Sequence, residues 1–502
     1  INNVVYENVT GATAIVGNTY SGNATVQAQI GDKYYATLEE ALEAAQAGET
    51  IVLLAPVVVA AGEVLELKKA VTITYTSNVP GEDMITVRGT LIVDGATLVY
   101  NNNDASANNV TVSTISCEPG SVLEVKSGKV VNESANRGAN GIYAYAIDLL
   151  TNGSLGDVTV TISGGEVIST NYMAIRQFNN GNVCANTLNI TGGYIYGAKR
   201  AIQVHLNNNA AYLTISGGKV EAGAGGYALC LFPENATHIS VTGGQFVGTV
   251  YSGTNGFVSG GTFDAEVYSG YLAEGLTMTK NADGTYGVAN AVVKVGNKIY
   301  ASLAEAIKNA QAGETIEFLA DINGNVTINK SVIIDGNGKT YTGTMTLNKD
   351  LTVTIQNVNF VNGGIDKPKA QKSTTGTYTI KNCTFDGEGT YAYPVRFYGA
   401  KDVIIEGCTV KNYVYSFLYI VSGTNSVSVQ NVTVENCPNY AIYFASGVNN
   451  AMIEGLTVKN SNNGIIINNT ATRYLTIKDC KMENVGTAIK ESSGTNTINC
   501  NV

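Results

Sequence analysis

Six times in the second half of the chain an apolar residue is followed two positions later by Asn, Gly or Asp, and then by two further apolar positions one residue apart. The copies are "IQNVNF" from Ile355, "IKNCTF" from Ile380, "IEGCTV" from Ile405, "VQNVTV" from Val429, "IEGLTV" from Ile453 and "IKDCKM" from Ile477, with starts 24 or 25 residues apart. Apolar and polar alternation predicts short half-buried strands, and a fixed period of this length predicts a stack of equivalent turns. Asn357, Asn382, Gly407, Asn431, Gly455 and Asp479 tolerate the left-handed backbone that a sharp bend between strands requires, and are expected to stack as a ladder. Val358, Cys383, Cys408, Val432, Leu456 and Cys480 then form one interior column, and Phe360, Phe385, Val410, Val434, Val458 and Met482 a second.

The first half carries the same pattern with a Gly-Gly bend: "ISGGEV" from Ile162, "ITGGYI" from Ile190, "ISGGKV" from Ile215, "VTGGQF" from Val241 and "VSGGTF" from Val258, with weaker copies at Val93 and Val125. The wide gap after Val125 predicts a loop around Asn132 to Tyr145. A further strand per turn is visible in "AIRQF", "AIQVH" and "ALCLF", and later in "AIYF", "GIIIN" and "AIKES". Side chains alternate faces along a strand, so Ile175, Ile202, Leu229, Ile442, Ile465 and Ile489 are expected inside, and Arg176, Gln203, Cys230, Tyr443, Ile466 and Lys490 outside. Two or three short strands per turn describe a parallel β-helix.

Such a stack needs its open apolar end covered. "YATLEEALEAAQAGETIVLL", residues 35–54, recurs as "YASLAEAIKNAQAGETIEFL", residues 300–319. Each copy has a capping box, Thr37 with Glu40 and Ser302 with Glu305, and an apolar helical face, Leu38, Ala41, Leu42 and Ala45 or Leu303, Ala306, Ile307 and Ala310. Cap helices are expected at about 38–47 and 303–312, with Gly48 and Gly313 as their C-terminal glycines.

This pattern resembles the amino-terminal cap of the pectate lyase-like superfamily of right-handed parallel β-helices. "YLAEGLTMTKNADGTYGV", Tyr271 to Val288, and the following "VVKVGNKIYASL" resemble linkers repeated in large surface proteins of gut bacteria. The expected fold is all-β: two right-handed parallel β-helix modules, residues 26–290 and 291–502, each with a short capping helix. One continuous cylinder with an internal helix is the alternative. Residues 1–25 are expected to be the tail of a preceding module or a packed strand.

Composition agrees with a folded, turn-rich β chain: 56 Gly, 29 Tyr, only 7 Pro and 14% charged residues among 502. A net charge of −10 without Lys or Arg clusters argues against nucleic acid. No apolar run is long enough to span a membrane. Eight dispersed Cys without a CxxC pair read as buried thiols.

If the family's lyase chemistry were present, the resemblance would imply an outward Arg base beside an Asp cluster holding calcium. Arg176 and Arg396 face outward, whereas Asp148, Asp157, Asp366, Asp386 and Asp402 are scattered. The Asn-Thr-Asp, Asp-Asp and Gly-His-Gly segments of polygalacturonases are missing. "DGNGKT" from Asp335 and "NADGT" from Asn281 lack the acidic spacing of a calcium loop and predict turns. No cofactor is expected, calcium entering only through the resemblance. The only histidines are His205 and His238, and His205 with Gln203 and Arg176 marks a polar patch. Arg396, Tyr398 and Tyr443 mark an aromatic stripe suited to sugar rings. The leading expectation is a monomeric, non-catalytic, extracellular or cell-surface bacterial adhesin, spacer or glycan-binding protein, with polysaccharide or host cell-surface glycan as partner. A polysaccharide lyase or glycoside hydrolase with an atypical site is the alternative.

Overall fold

The computed structural model describes residues 26–103, 109–135, 141–151, 156–179, 185–205, 211–468, 472–491 and 497–501. The chain divides into two units, Ile1–Ala289 and Asn290–Val502, each with its own apolar interior. Residues 1–25 lie outside the described residues.

Three strands make one coil. In the first unit Val158–Ile162, Glu166–Ser169 and Met173–Asn179 are followed by Asn186–Ile190, Tyr194–Gly197 and Arg200–His205, and then by Ala211–Ile215, Lys219–Ala222 and Tyr227–Leu231. Equivalent strands pair in parallel, setting Ile162 beside Ile190 and Ile215, Val167 beside Ile195 and Val220, and Ile175 beside Ile202 and Leu229. All nine side chains are fully buried, so each column is continuous through the stack. The expected interior positions are met, and the fold is a parallel β-helix.

The Gly-Gly bends need glycine twice, for different reasons. A Cβ on the first glycine would meet a carbonyl oxygen of the preceding coil, at 2.2 Å for Gly164 and 2.3 Å for Gly192, Gly217 and Gly243. The second glycine has φ between 69° and 103° from Gly165 to Gly261, where a Cβ is strained. Residues 136–140 of the loop expected around Asn132 to Tyr145 lie outside the described residues, and both of its expected ends belong to strands. Asn132 ends the strand Val122–Asn132, buried, with its amide bonded to Tyr145 O, and Tyr145 lies within the strand Ile142–Thr151.

In the second unit Asn or Gly replaces the paired glycines. Asn357, Asn382, Gly407, Asn431, Gly455 and Asp479 all have positive φ, 51° to 65°, as the bend requires. The two predicted columns are buried from Val358 to Leu456 and from Phe360 to Val458, with Phe360 and Phe385 stacked 4.7 Å apart at 3°. Cys480, Met482 and Ile489, in the last coil, are only partly buried. A second ladder closes the next corner: Asn412 donates to Asp386 Oδ1 (3.0 Å), Asn436 to Asn412 (3.2 Å), Asn460 to Asn436 (3.0 Å) and Asn484 to Asn460 (2.9 Å).

Each unit opens with a hairpin and a short helix, Ala28–Ile30 and Lys33–Tyr35 with α1 (Leu38–Ala44), and Val293–Val295 and Lys298–Tyr300 with α2 (Leu303–Asn309). The hydroxyls of Thr37 and Ser302 accept from the N–H groups of Glu40 and Glu305 as predicted. The helices end before Gly48 and Gly313. Ala45 and Ala310 turn to extended backbone because Glu49 and Glu314 accept the N–H groups of Gln46 and Gln311 at 2.6 and 2.7 Å, locking the "QAGE" segment as a separate turn. A lysine of the next coil takes up the orphan helix carbonyls: Lys69 donates to Leu42, Glu43 and Ala45, and Lys330 to Lys308 and Ala310.

The segment read as a linker covers the other end of the first unit. Tyr286–Asn290 runs antiparallel to Thr262–Phe263, while Leu276, Met278 and Val288 pack on the interior. "NADGT" is the turn within this segment, closed by Asn281 N–H to Thr285 O. "DGNGKT" is also a turn, with Asn337 and Gly338 at positive φ.

Candidate functional site

The third strands of successive coils form a sheet whose outward side chains stand in rows, one residue per coil. In the second unit one row runs Asp366, Arg396, Tyr419, Tyr443, Ile466, Lys490. Arg396 is bidentate to Asp366, Nε to Oδ1 at 2.8 Å and Nη2 to Oδ2 at 2.9 Å, and these bonds hold the guanidinium above its ordinary value. A planar fork meeting a carboxylate edge-on fixes both groups. The pair uses two of the five N–H donors of the fork.

Beyond Arg396 the row becomes a stack of phenols. Tyr393 lies 5.5 Å from Tyr415 and 5.0 Å from Tyr419, and Tyr419 lies 5.2 Å from Tyr443, with ring planes within 25° to 28°. Asn468 donates to the Tyr443 hydroxyl at 2.9 Å. Rings stacked this way cover one another's faces and leave edges and hydroxyls outward. A half-open depression of about 320 Å³ lies over the Asp366–Arg396 pair, walled by Thr390, Tyr391, Ala392 and Tyr393. Its polar groups are an arginine fork, a carboxylate, threonine hydroxyls and phenols.

The expected stripe of Arg396, Tyr398 and Tyr443 is thus partly drawn together. Arg396 and Tyr443 share a row, with Tyr419 between them. Tyr398 follows the strand Val395–Phe397, half-buried, and its N–H bonds Lys367 O at 3.0 Å. Beneath it sits Lys367, fully buried, donating to the carbonyls of Gln371 (2.5 Å), Gly399 (2.7 Å) and Tyr398 (3.3 Å). Burial pulls its ammonium down to about 8.

The first unit repeats the motif. Its row runs Asp148, Arg176, Gln203, Cys230, Tyr251. Arg176 is bidentate to Asp148 at 2.9 and 2.5 Å, between the rings of Tyr145 (4.2 Å) and Phe178 (4.8 Å). Asp148 is fully buried, and burial raises its carboxyl against the opposing pull of Arg176. Asp83 stands over the same end, accepting from Ser113 N–H at 2.6 Å. Burial, and then repulsion from Asp148, push Asp83 up to about 7.

The polar patch expected from Arg176, Gln203 and His205 does not form as such. Gln203 and Cys230 point outward but are 7% and 3% exposed, and the Gln203 carbonyl is taken by the Arg200 guanidinium lying over it. His205 belongs to the next row, exposed between Phe178 (5.5 Å) and Phe232 (5.2 Å). His238 stacks on Tyr212 at 4.1 Å.

The aspartates read as scattered divide in two. Asp148 and Asp366 are each the register partner of an arginine one coil on, whereas Asp157, Asp386 and Asp402 bond Ala185 N–H, Asn412 and Thr377 as fasteners between coils. The separation of 30 residues between Asp366 and Arg396 exceeds the 24- or 25-residue period of the second unit and hid that pair, whereas the 28 residues between Asp148 and Arg176 lie within the less regular spacing of the first. Among the described residues no three His, Cys, Asp or Glu gather as a metal site.

A family model described as the right-handed β-helix region matches residues 370–502. The right-handed turn expected from the cap pattern is thereby matched over those residues of the second unit. Among solved structures, the PL6 family alginate lyase AlyGC is similar at TM-score 0.28 and 10% identity, and a mutant of it at 0.28 and 12%, each over 92% of this chain and 98% of the other. Likeness of that degree says nothing about a shared activity. No curated protein matches the chain.

Proposed function

We propose that the chain is a non-catalytic glycan-binding β-helix of a bacterial cell surface, holding polysaccharide against the outward rows of its third sheet. The depression over Asp366 and Arg396 carries this reading. A carboxylate beside a guanidinium offers acceptor and donor side by side, the pattern that two neighbouring sugar hydroxyls complete. Tyr391 and Tyr393 add apolar ring edges and hydroxyls on one wall, the mixture expected of a sugar site. The same geometry disfavours chemistry: an arginine held above its ordinary value by a bidentate carboxylate is a poor base. An extracellular setting suits such a partner, and no described helix is long and apolar enough to cross a membrane.

A second reading, glycoside hydrolysis in the first unit, is favoured by one observation. Asp83, raised to about 7, sits near Asp148; burial raises both carboxyls but only Asp148 is paired with an arginine, and neighbouring carboxyls that differ in their partners are how hydrolases separate acid from base.

The experiment is incubation with acidic and neutral polysaccharides, with and without calcium, scoring retention, unsaturated sugars and new reducing ends. Retention without products is expected, weakened by Arg396→Ala. New reducing ends abolished by Asp83→Asn would overturn the non-catalytic reading in favour of hydrolysis, and unsaturated ends would overturn it in favour of a lyase.

A further inference from the structure

We propose that the first unit carries a separate site for an anionic polysaccharide, built on the strip Phe178, His205, Phe232 and Tyr251 with Arg200. The proposal rests on the glycan-binding reading and adds a second location, a charge preference and a length.

The strip crosses four consecutive coils. Phe178 is the register partner of His205, Tyr251 is the partner of Cys230, and Phe232 stands two residues past Cys230. Centroid separations are 5.5, 5.2 and 6.0 Å, with ring planes at 65°, 51° and 60°. This differs from the phenol stack of the second unit. Tilted rings do not cover one another's faces, so, apart from the Phe178 face that Arg176 covers, apolar surface stays open to the C–H face of a pyranose. The strip is also accessible: His205 is exposed, Phe232 is 40% exposed and Tyr251 46%.

Charge selects among sugars. The Arg200 guanidinium lies 5.9 Å from the Phe232 ring and 5.6 Å from Tyr227, and bonds only the neutral Gln203 side chain among its described hydrogen-bond partners. Arg176, near Phe178, is already neutralised by Asp148. One cation without a carboxylate partner among the described residues, on an aromatic strip of a chain with net charge −10, is complementary to a sugar carboxylate or sulfate.

Length follows from the coil. Neighbouring strands are about 4.8 Å apart, close to the rise of one sugar along an extended polysaccharide. A chain lying across the strands therefore meets one ring per coil, and four coils read four sugars.

The test uses the intact chain and calorimetric titration with oligogalacturonates of two to six units, a sulfated oligosaccharide and a neutral cello-oligosaccharide. Affinity for the anionic series is expected to rise up to four units and then level, and to fall with added salt. Arg200→Gln is expected to weaken the anionic ligands at least fivefold and leave the neutral one unchanged, while Phe232→Ala weakens all of them. Carboxylated and sulfated probes separate the two sources of negative charge, and binding of either supports the site. Tyr419→Ala, in the second unit, is expected to leave these changes intact. Anionic binding that survives Arg200→Gln and Phe232→Ala but is lost with Tyr419→Ala would overturn this site while sparing the glycan-binding reading. Absence of binding to every probe would overturn both, and affinity still climbing beyond four units would overturn the four-coil register.

Discussion

Asp83→Asn is expected to stabilise the first unit, and to do so only above mildly acidic pH. Asp83 accepts from Ser113 N–H, which an amide oxygen can continue to do, and the Ser113 and Ser116 hydroxyls beside it can turn to accept from the new amide, so the substitution chiefly removes charge. The carboxyl titrates near 4 in the unfolded chain and at about 7 when folded, so between those values the native state holds the extra proton. Stability is therefore full below pH 4 and falls as pH rises towards 7. At about 1.4 kcal/mol per pH unit the gap sets a ceiling of about 4 kcal/mol at pH 8, which Asn recovers. Because a long solenoid need not unfold as one unit, a local readout is the appropriate assay. Hydrogen exchange of the strand Val110–Cys117, compared between wild type and Asp83→Asn at each pH, should show protection gained at pH 8, up to about a thousandfold, and none at pH 4. Equal protection at both pH values, or a loss at pH 8, would refute the argument that burial and Asp148 destabilise this carboxylate.

Gly217→Ala places a Cβ 2.3 Å from Thr191 O and should cost about 3 kcal/mol, the upper part of the overpacking range, whereas Gly62→Ala, with open space around it and φ of 84°, should cost about 1–2 kcal/mol; urea midpoints followed by circular dichroism compare them. Phe385→Ala removes a fully stacked interior ring and should cost about 3–5 kcal/mol, read by exchange of the strands Thr377–Lys381 and Ala400–Glu406. Tyr419→Ala breaks the phenol stack beside Arg396 and should weaken retained polysaccharide about three- to tenfold. Alkylation of the native protein at pH 8 should spare Cys117, Cys383 and Cys437, whose thiols burial holds protonated, and reach partly exposed Cys480 before them; mass spectrometry of the peptides gives the order.

The fold was legible because a coil repeats its own chemistry. Asn382 and Gly407 announce a left-handed bend, and Phe360 and Phe385 announce a column, without knowledge of anything outside one turn. The helix ends were misread for a local reason: Gly48 looks like a terminal glycine, but Glu49 binds Gln46 N–H and makes the turn a separate element. The candidate sites were legible only by direction. Alternation placed Arg176, Gln203 and Cys230 on the outward face, as observed, yet says nothing of what lies above that face, and Arg200 covers Gln203. The aspartate partner of Arg396 was missed because a longer loop stretches that coil beyond the regular spacing, and that of Arg176 because Asp148 falls at the edge of the irregular first-half repeat, after the wide gap.

The amide ladder on the second unit has a polarity. Every asparagine from Asn412 to Asn484 gives its amide hydrogen to the coil before it, those from Asn412 to Asn460 accept from the coil after them, and the series begins on the carboxylate of Asp386, which can only accept. Each finished turn is thereby a template with one vacant acceptor at its corner, and the next turn docks by supplying a donor. Growth from the amino-terminal side meets a matching group at every step; growth from the other side has no anchored end to fix which way the amides point. The corner of the cylinder thus carries a sense of direction, suited to a chain that adds its turns in the order in which it is synthesised.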